Sequence, residues 1–253
     1  MIKSLNPALA ACVWLVTLAM STDAREILRT PEKIATVNDR DTIIRSTKTS
    51  SQITLTENSL RVMNGFKLTI ERGVNFEFTP KNREDVEATI EVAGELSVDG
   101  SADSPVLIRG YAGMLQIVVT GSGSAKFTHT ILKDMRIRVL NGSLTIENCL
   151  LDNCYVLYEG SNTSKDITIK NSTFTRNTIA PAISISRGES APTIAIDNCV
   201  IKDNTMGGLI ISSVFAKGSK RPNTVISRCD ISNNGPFNLM FVDSKELTLQ
   251  TIG

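Results

Sequence analysis

Residues 194–204 read IAIDNCVIKDN, and residues 167–177 read ITIKNSTFTRN. Each runs aliphatic, polar, aliphatic, polar, then Asn, then a small Ser or Cys, then a second short run that ends in Asn. Three further rows align on the same bend: AKFTHTILKDM (125–135), LTIENCLLDNC (144–154) and TVISRCDISNN (224–234). The column after the bend holds Thr130, Cys149, Ser172, Cys199 and Cys229, at spacings of 19, 23, 27 and 30 residues. Recurrence on that scale marks stacked repeats.

Inside each row the period is two. Ile167 and Ile169 alternate with Thr168 and Lys170, and the alternation restarts after the bend, as in Cys199 and Ile201. That is strand spacing, not helix spacing. The bend needs a left-handed backbone, which Asn tolerates. A third aliphatic run lies between rows: RIRVL (136–140), YVLY (155–158), AISIS (182–186), GLIIS (208–212) and NLMFV (238–242). Three short strands per turn of ~20–30 residues predict a parallel β-helix. Equivalent side chains would then stack in columns ~4.8 Å apart. Asn148, Asn171 and Asn198 form a corner ladder, their amides bonding along the axis. Thr130, Cys149, Ser172, Cys199 and Cys229 form a column just inside it.

Composition agrees with this architecture. Hydrophobic content is 41% but aromatic content only 5%, which suits a core of Ile, Leu and Val. A formal charge of +1 provides no global field toward nucleic acid or an acidic membrane, and no basic stripe is visible. The chain opens MIKSLNPALAACVWLVTLAMSTDA, with Lys3 ahead of an apolar run of 13 residues, Ala8 to Met20, too short to span a bilayer comfortably. With Ala19 and Ser21 at a small-residue cleavage site, residues 1–21 read as a secretory signal peptide, with cleavage after Ala24 the alternative. The expected location is secreted or extracellular, with no membrane span in the chain. Residues 22–52 carry mixed charge and no period. They read as an N-terminal extension available to cap the first turn, ahead of a β-helix at 53–253.

The rows upstream are GFKLTIERGVNFEFTP (65–80) and ATIEVAGELSVDGSADSPVLIRG (88–110). Leu68, Thr69, Ile70, Glu71, Gly73 and Val74, followed by Val92, Gly94, Leu96, Gly100, Ser101, Pro105, Val106 and Ile108, resemble the opening turns of the right-handed parallel β-helix family, the pectin-lyase-like superfamily. Arg72 stands where that family usually has Pro. The resemblance covers roughly 53–253 and is nearest to the extracellular β-helix repeats of the animal junction protein bark beetle (Anakonda). It implies an all-β chain, a single right-handed parallel β-helix of about eight three-strand turns. The fold is shared by pectate lyases, hydrolases, adhesins and junction proteins, so fold alone assigns no chemistry. The leading expectation is a secreted, non-enzymatic structural or adhesive module, part of a cell-surface or junction protein, because the outward columns carry no catalytic constellation. The alternative is a polysaccharide lyase or glycoside hydrolase acting on an acidic polysaccharide.

A catalytic β-helix would show its acids. Hydrolases need paired Asp residues and a His, and lyases need acids around Ca²⁺ with an Arg or Lys base. The outward column before the bend reads Glu147, Lys170, Asp197, Ser227. The next outward pairs read Asp152/Asn153, Thr175/Arg176, Lys202/Asp203 and Ser232/Asn233. Both columns mix signs, as a solvated, salt-bridged face does. His129, the single histidine, stands in the corner column as a substitute for Asn. No catalytic residue, metal ligand or cofactor site is assigned. The loop AKGSKR gathers Lys217, Lys220 and Arg221, which suit an anionic ligand such as an acidic glycan; a solvated loop is the plainer reading.

Sequons at Asn141 and Asn162 fall in turns and are expected to carry glycans, whereas Asn171, in the ladder, is not. Four cysteines follow the signal. Their parallel Cβ vectors favour buried thiols, with Cys199 and Cys229, on adjacent turns, the pair best spaced for a disulfide. The tail NLMFVDSKELTLQTIG keeps the strand pattern to its end without a polar cap. That predicts a protein partner or a second copy at the C-terminal end, or a longer parent chain.

Overall fold

A computed structural model of the chain describes side chains over residues 60–78, 88–111, 113–160, 165–186, 193–212 and 224–242, and backbone alone for further strands between 24 and 252. The signal residues 1–21, Asn162 and the Lys217/Lys220/Arg221 loop lie outside the described residues. Every described element is a strand, and every strand-to-strand ladder is parallel. One turn shows the plan. Ser124–Thr128 lies on a first face, Thr130–Lys133 on a second and Met135–Val139 on a third, and the chain then returns to the first face at Ser143–Glu147. The third face is a nine-stranded sheet, while the first and second join along their corner into a 17-stranded sheet.

Register is strict because the side-chain period of two puts every apolar residue inside or every one outside. On the first face Leu68, Leu96, Ala125, Leu144, Ile167 and Ile194 stack in one inward column. On the second Phe76, Ile108, Leu132, Leu151, Phe174, Ile201 and Ile231 stack in another. On the third Leu60, Ile90, Ile117, Ile137, Val156, Ile183 and Leu209 do the same. All of these side chains are buried. The aliphatic columns give a continuous core with little aromatic content, as composition requires.

Two left-handed corners break each of five successive turns. His129, Asn148, Asn171, Asn198 and Arg228 have φ of 44–54°, and Asp134, Asn153, Arg176, Asp203 and Asn233 have φ of 51–59°. A left-handed L-residue is disfavoured by about 1–2 kcal/mol, least for Asn and Asp. The column of Asn and Asp follows from that. Where the third face returns to the first, backbones touch instead. A Cβ on Gly94 would lie 2.2 Å from the Met63 carbonyl oxygen, and one on Gly123 would lie 2.2 Å from that of Val92. Only glycine fits there.

Two boundaries differ from the sequence reading. Ala24–Ile27 pairs with Asp41–Ile44, which pairs with Lys67–Glu71, so paired strands reach upstream of residue 53. Strands of two to four residues among mixed charges are too short to display a period. Six successive turns, from Lys67–Glu71 to Leu209–Ser213, contribute three separate strands each, fewer than the eight expected. Beyond them the pairing continues through strands only partly described, or, in Thr224–Ser232, through one strand that carries both faces across the Arg228 corner.

Candidate functional site

The outward side of the nine-stranded sheet carries a groove lined by clustered polar and aromatic side chains. Met135–Val139 and Tyr155–Gly160 lie side by side with Leu115–Val119, and alternation turns Gln116, Arg136, Arg138, Tyr155 and Leu157 outward to line it. These side chains are ordered by one another. Gln116 Nε2 donates to Thr89 Oγ1 at 2.8 Å, Arg136 Nε donates to Gln116 Oε1 at 3.2 Å, and Arg136 Nη1 reaches Tyr155 Oη at 3.5 Å. The column Thr89–Gln116–Arg136–Tyr155 is thus a hydrogen-bonded chain across four turns. Beside it Arg61 pairs with Glu91 at 3.0 Å and Arg138 with Glu159 at 2.6 Å. The groove is shallow, cationic at its centre and backed by the rigid core. Among the described residues no group of three or more His, Cys, Asp or Glu converges to hold a metal ion.

The corner residues singled out in the sequence occupy both sides of the first bend. Asn198 Nδ2 donates to Asn171 Oδ1 at 2.8 Å. Asn148 holds the same left-handed corner one turn below. Just inside, each column member bonds back across its bend. Thr130 Oγ1 donates to the Thr128 carbonyl at 3.0 Å, Ser172 Oγ to that of Lys170 at 2.7 Å, and the Cys149, Cys199 and Cys229 thiols to those of Glu147, Asp197 and Ser227 at 3.2, 3.3 and 3.1 Å. A small side chain with one proton fits this role, which is why Ser, Thr and Cys interchange. All four cysteines described are free and buried. Burial pushes the Cys149 thiol up to about 11 and that of Cys154 higher still. Cys199 and Cys229 face each other on adjacent turns, and their mutual interaction raises the Cys199 thiol and lowers that of Cys229.

The second corner holds what the sequence reading passed over. Asn177, Asn204 and Asn234 end three of the aligned rows, and all three are buried. Asn204 Nδ2 donates to Asn234 Oδ1 at 2.8 Å and to the Lys202 carbonyl at 3.0 Å, while Asn204 Oδ1 accepts the Asn177 amide N–H at 3.0 Å. This is an interior amide ladder, and the recurrence of Asn at the row end was its signal. Asp152 was read as an outward residue. It is buried, its carboxylate held by Arg176 at 2.6 Å and by Lys133 at 3.5 Å. The Arg176 hydrogen bond holds that carboxyl below the usual range. Asp197 is drawn down to about 2, first by Arg228 and then by the Ser227 hydroxyl at 2.7 Å. His129 occupies a corner, with its amide N–H donated to the Glu147 carbonyl. Asn141 lies half-buried in the turn before Ser143–Glu147.

A family model described as the right handed beta helix region matches residues 43–217 and 156–252. Those matches cover most of the chain, and the protein belongs to that β-helix family. No curated protein and no solved structure matches the chain. The narrower likeness to junction-protein repeats has no support beyond the shared fold.

Proposed function

We propose that the chain is an extracellular, non-enzymatic β-helix module that offers the outward face of its nine-stranded sheet to a protein partner. The observation that carries this reading is the column Thr89–Gln116–Arg136–Tyr155, whose polar groups are already bonded to one another. A flat face ordered before contact loses little side-chain freedom on binding. Tyr and Arg together are the side chains that most often anchor protein contacts. The apolar run from Ala8 to Met20, followed by small residues, supports export of the chain, where a rigid exposed face meets partners outside the cell.

A second reading rests on a different feature of the same groove. Arg136 and Arg138 project from one strand on the same side, ~6.6 Å apart along it. Two guanidinium groups on one strand can engage an acidic polysaccharide, with Glu159 displaced from Arg138 by a ligand carboxylate. The secreted chain, incubated with uronic-acid polysaccharides with and without Ca²⁺, separates the readings. Retention of the polymer without cleavage favours a glycan-binding module. Product formation that is lost in Arg136→Ala makes the chain an enzyme and overturns the leading proposal. Neither retention nor cleavage, with an extracellular protein captured by the wild-type face but not by Arg136→Ala/Tyr155→Ala, supports it.

A further inference from the structure

Cys199 and Cys229 are the one place among the described residues where two cysteine thiols occupy the same column on adjacent turns. The ladder pairs Asp197 with Ser227 and Val200 with Asp230, which sets Cys199 against Cys229. Both side chains point inward, and both residues are buried. Each thiol meets the same surroundings, its own i−2 carbonyl and a carbonyl of the preceding turn. For Cys199 these are Asp197 and Ile169 at 3.3 and 3.6 Å, and for Cys229 they are Ser227 and Ile196 at 3.1 and 3.6 Å. The column continues below with Ser172, whose hydroxyl is committed to the Lys170 carbonyl.

Two chemistries can join such sulfurs, and the spacing separates them. A disulfide needs Cβ atoms ~3.8 Å apart with the sulfurs turned toward each other. Parallel strands in register hold equivalent atoms ~4.8 Å apart with their Cβ vectors parallel. A bridging metal with a thiolate bond of ~2.3 Å spans ~4.6 Å from sulfur to sulfur when the two bonds are collinear. The stack meets the second requirement without moving its backbone. We propose that Cys199 and Cys229 form a two-coordinate site for a soft, thiophilic d¹⁰ cation, bound as a bis-thiolate between two turns of the helix.

The surroundings set the selectivity. Zinc and iron in thiolate sites want four ligands. No third Cys, His, Asp or Glu joins this pair among the described residues. A linear site excludes them by ligand count. Charge selects further. Binding of a divalent ion releases both thiol protons to solvent and leaves a neutral complex, whereas a monovalent ion leaves one net negative charge in an apolar core. Soft divalent ions should therefore bind more tightly than soft monovalent ones. Because both thiols are buried, entry waits on local opening of the stack.

Mercuric ion is the probe. The reduced full chain is titrated with Hg²⁺ and followed by thiolate-to-metal charge-transfer absorbance, with free thiols counted in parallel. The expected result is one tight equivalent per chain with two thiols lost. That equivalent disappears in Cys199→Ser and in Cys229→Ser and persists in Cys149→Ser and Cys154→Ser. Serine already occupies this column at Ser172, so the variants should retain the wild-type β-sheet circular dichroism. A tight equivalent that survives both Cys199→Ser and Cys229→Ser overturns the proposal, as does the lack of any tight equivalent in a folded wild-type chain. A Cys199–Cys229 disulfide formed readily with oxidised glutathione in metal-free buffer also overturns it, because the spacing would then suit a direct sulfur–sulfur bond.

Discussion

The Arg176 guanidinium lies 2.6 Å from the carboxylate of Asp152, one turn below it, and Arg228 repeats the relationship with Asp197 at the other corner. In both pairs the arginine occupies a left-handed position where most turns carry Asn or Asp. In both, the acid stands one residue before the corresponding corner of the preceding turn. The ion pair offsets a backbone conformation that arginine disfavours. Asp152 is the better buried of the two acids, with its side chain 8% exposed against 21% for Asp197.

Asp152 therefore links stability to acid. Its folded pKa is depressed, chiefly by the Arg176 hydrogen bond. Its contribution is complete above the unfolded carboxyl value of ~3.9 and is lost as pH falls through the lower folded value. Asp152→Asn should lower the Tm at neutral pH and flatten the fall of Tm below pH ~4. Thermal melts of both proteins from pH 2 to pH 7 check this. Parallel curves would show that Asp152 carries no such linkage.

Asn204 lies at the centre of the interior ladder, fully buried and bonded above, below and within its own turn. Asn204→Ala strands the buried amide N–H of Asn177 and removes the donor to the Lys202 and Phe174 carbonyls, while Asn234 Oδ1 keeps the backbone N–H of residue 204. Unsatisfied buried groups cost about 1–3 kcal/mol each, so the variant should lose about 2–4 kcal/mol. Denaturant unfolding measures it. Asn198→Ala, at the exposed outer ladder, should lose well under half as much, because water replaces its bond. Equal losses would mean that depth in the stack does not set the worth of these amides.

The contrast between those ladders also shows what could be read from the chain. Alternation and the column of Asn148, Asn171 and Asn198 were legible because each occurs after a visible change of phase. The inner column was hidden by chemistry. Asn177, Asn204 and Asn234 share their column with Cys154, and a buried amide looks like a surface residue until its partners are placed. Asp152 was hidden for a related reason: its alternation phase breaks at the corner, where Leu151 and Asp152 are both buried. The groove at Gln116, Arg136 and Tyr155 depends on register between turns of unequal length, which no single row contains.

Gly94 and Gly121 separate two uses of glycine. At Gly94 a methyl group would strike the backbone oxygens of Met63 and Phe66, at 2.2 and 2.3 Å. At Gly121 φ is +56° and nothing lies within 4 Å of an added Cβ. Gly94→Ala forces two turns apart and should cost about 2–3 kcal/mol, within the range for overpacking. Gly121→Ala meets only the left-handed penalty, about 1 kcal/mol. Urea midpoints of the two variants give the order, and a Gly121→Ala loss equal to or above that of Gly94→Ala would contradict it.

Glycan occupancy tests the corner register from outside. Asn171-Ser172-Thr173 is a sequon on an exposed corner, so exposure alone would predict modification. Its carboxamide, however, is built into the stack, with Oδ1 accepting from Asn198 Nδ2 at 2.8 Å. A planar amide with its oxygen toward the following turn directs its nitrogen toward the preceding one, where Asn148 lies ~4.8 Å below. A pyranose on that nitrogen has no room between the turns. Since the sugar is added to the unfolded chain, an occupied Asn171 would obstruct stacking, and folded material should lack it. Asn141 instead stands in the turn beside Gly142, clear of both ladders. Expressed through a secretory pathway, the chain should carry glycan at Asn141 and at Asn162 and remain bare at Asn171. Glycopeptide mapping of the folded protein reads all three sites, and heavy occupancy at Asn171 would show that the corner amides are not stacked in this register.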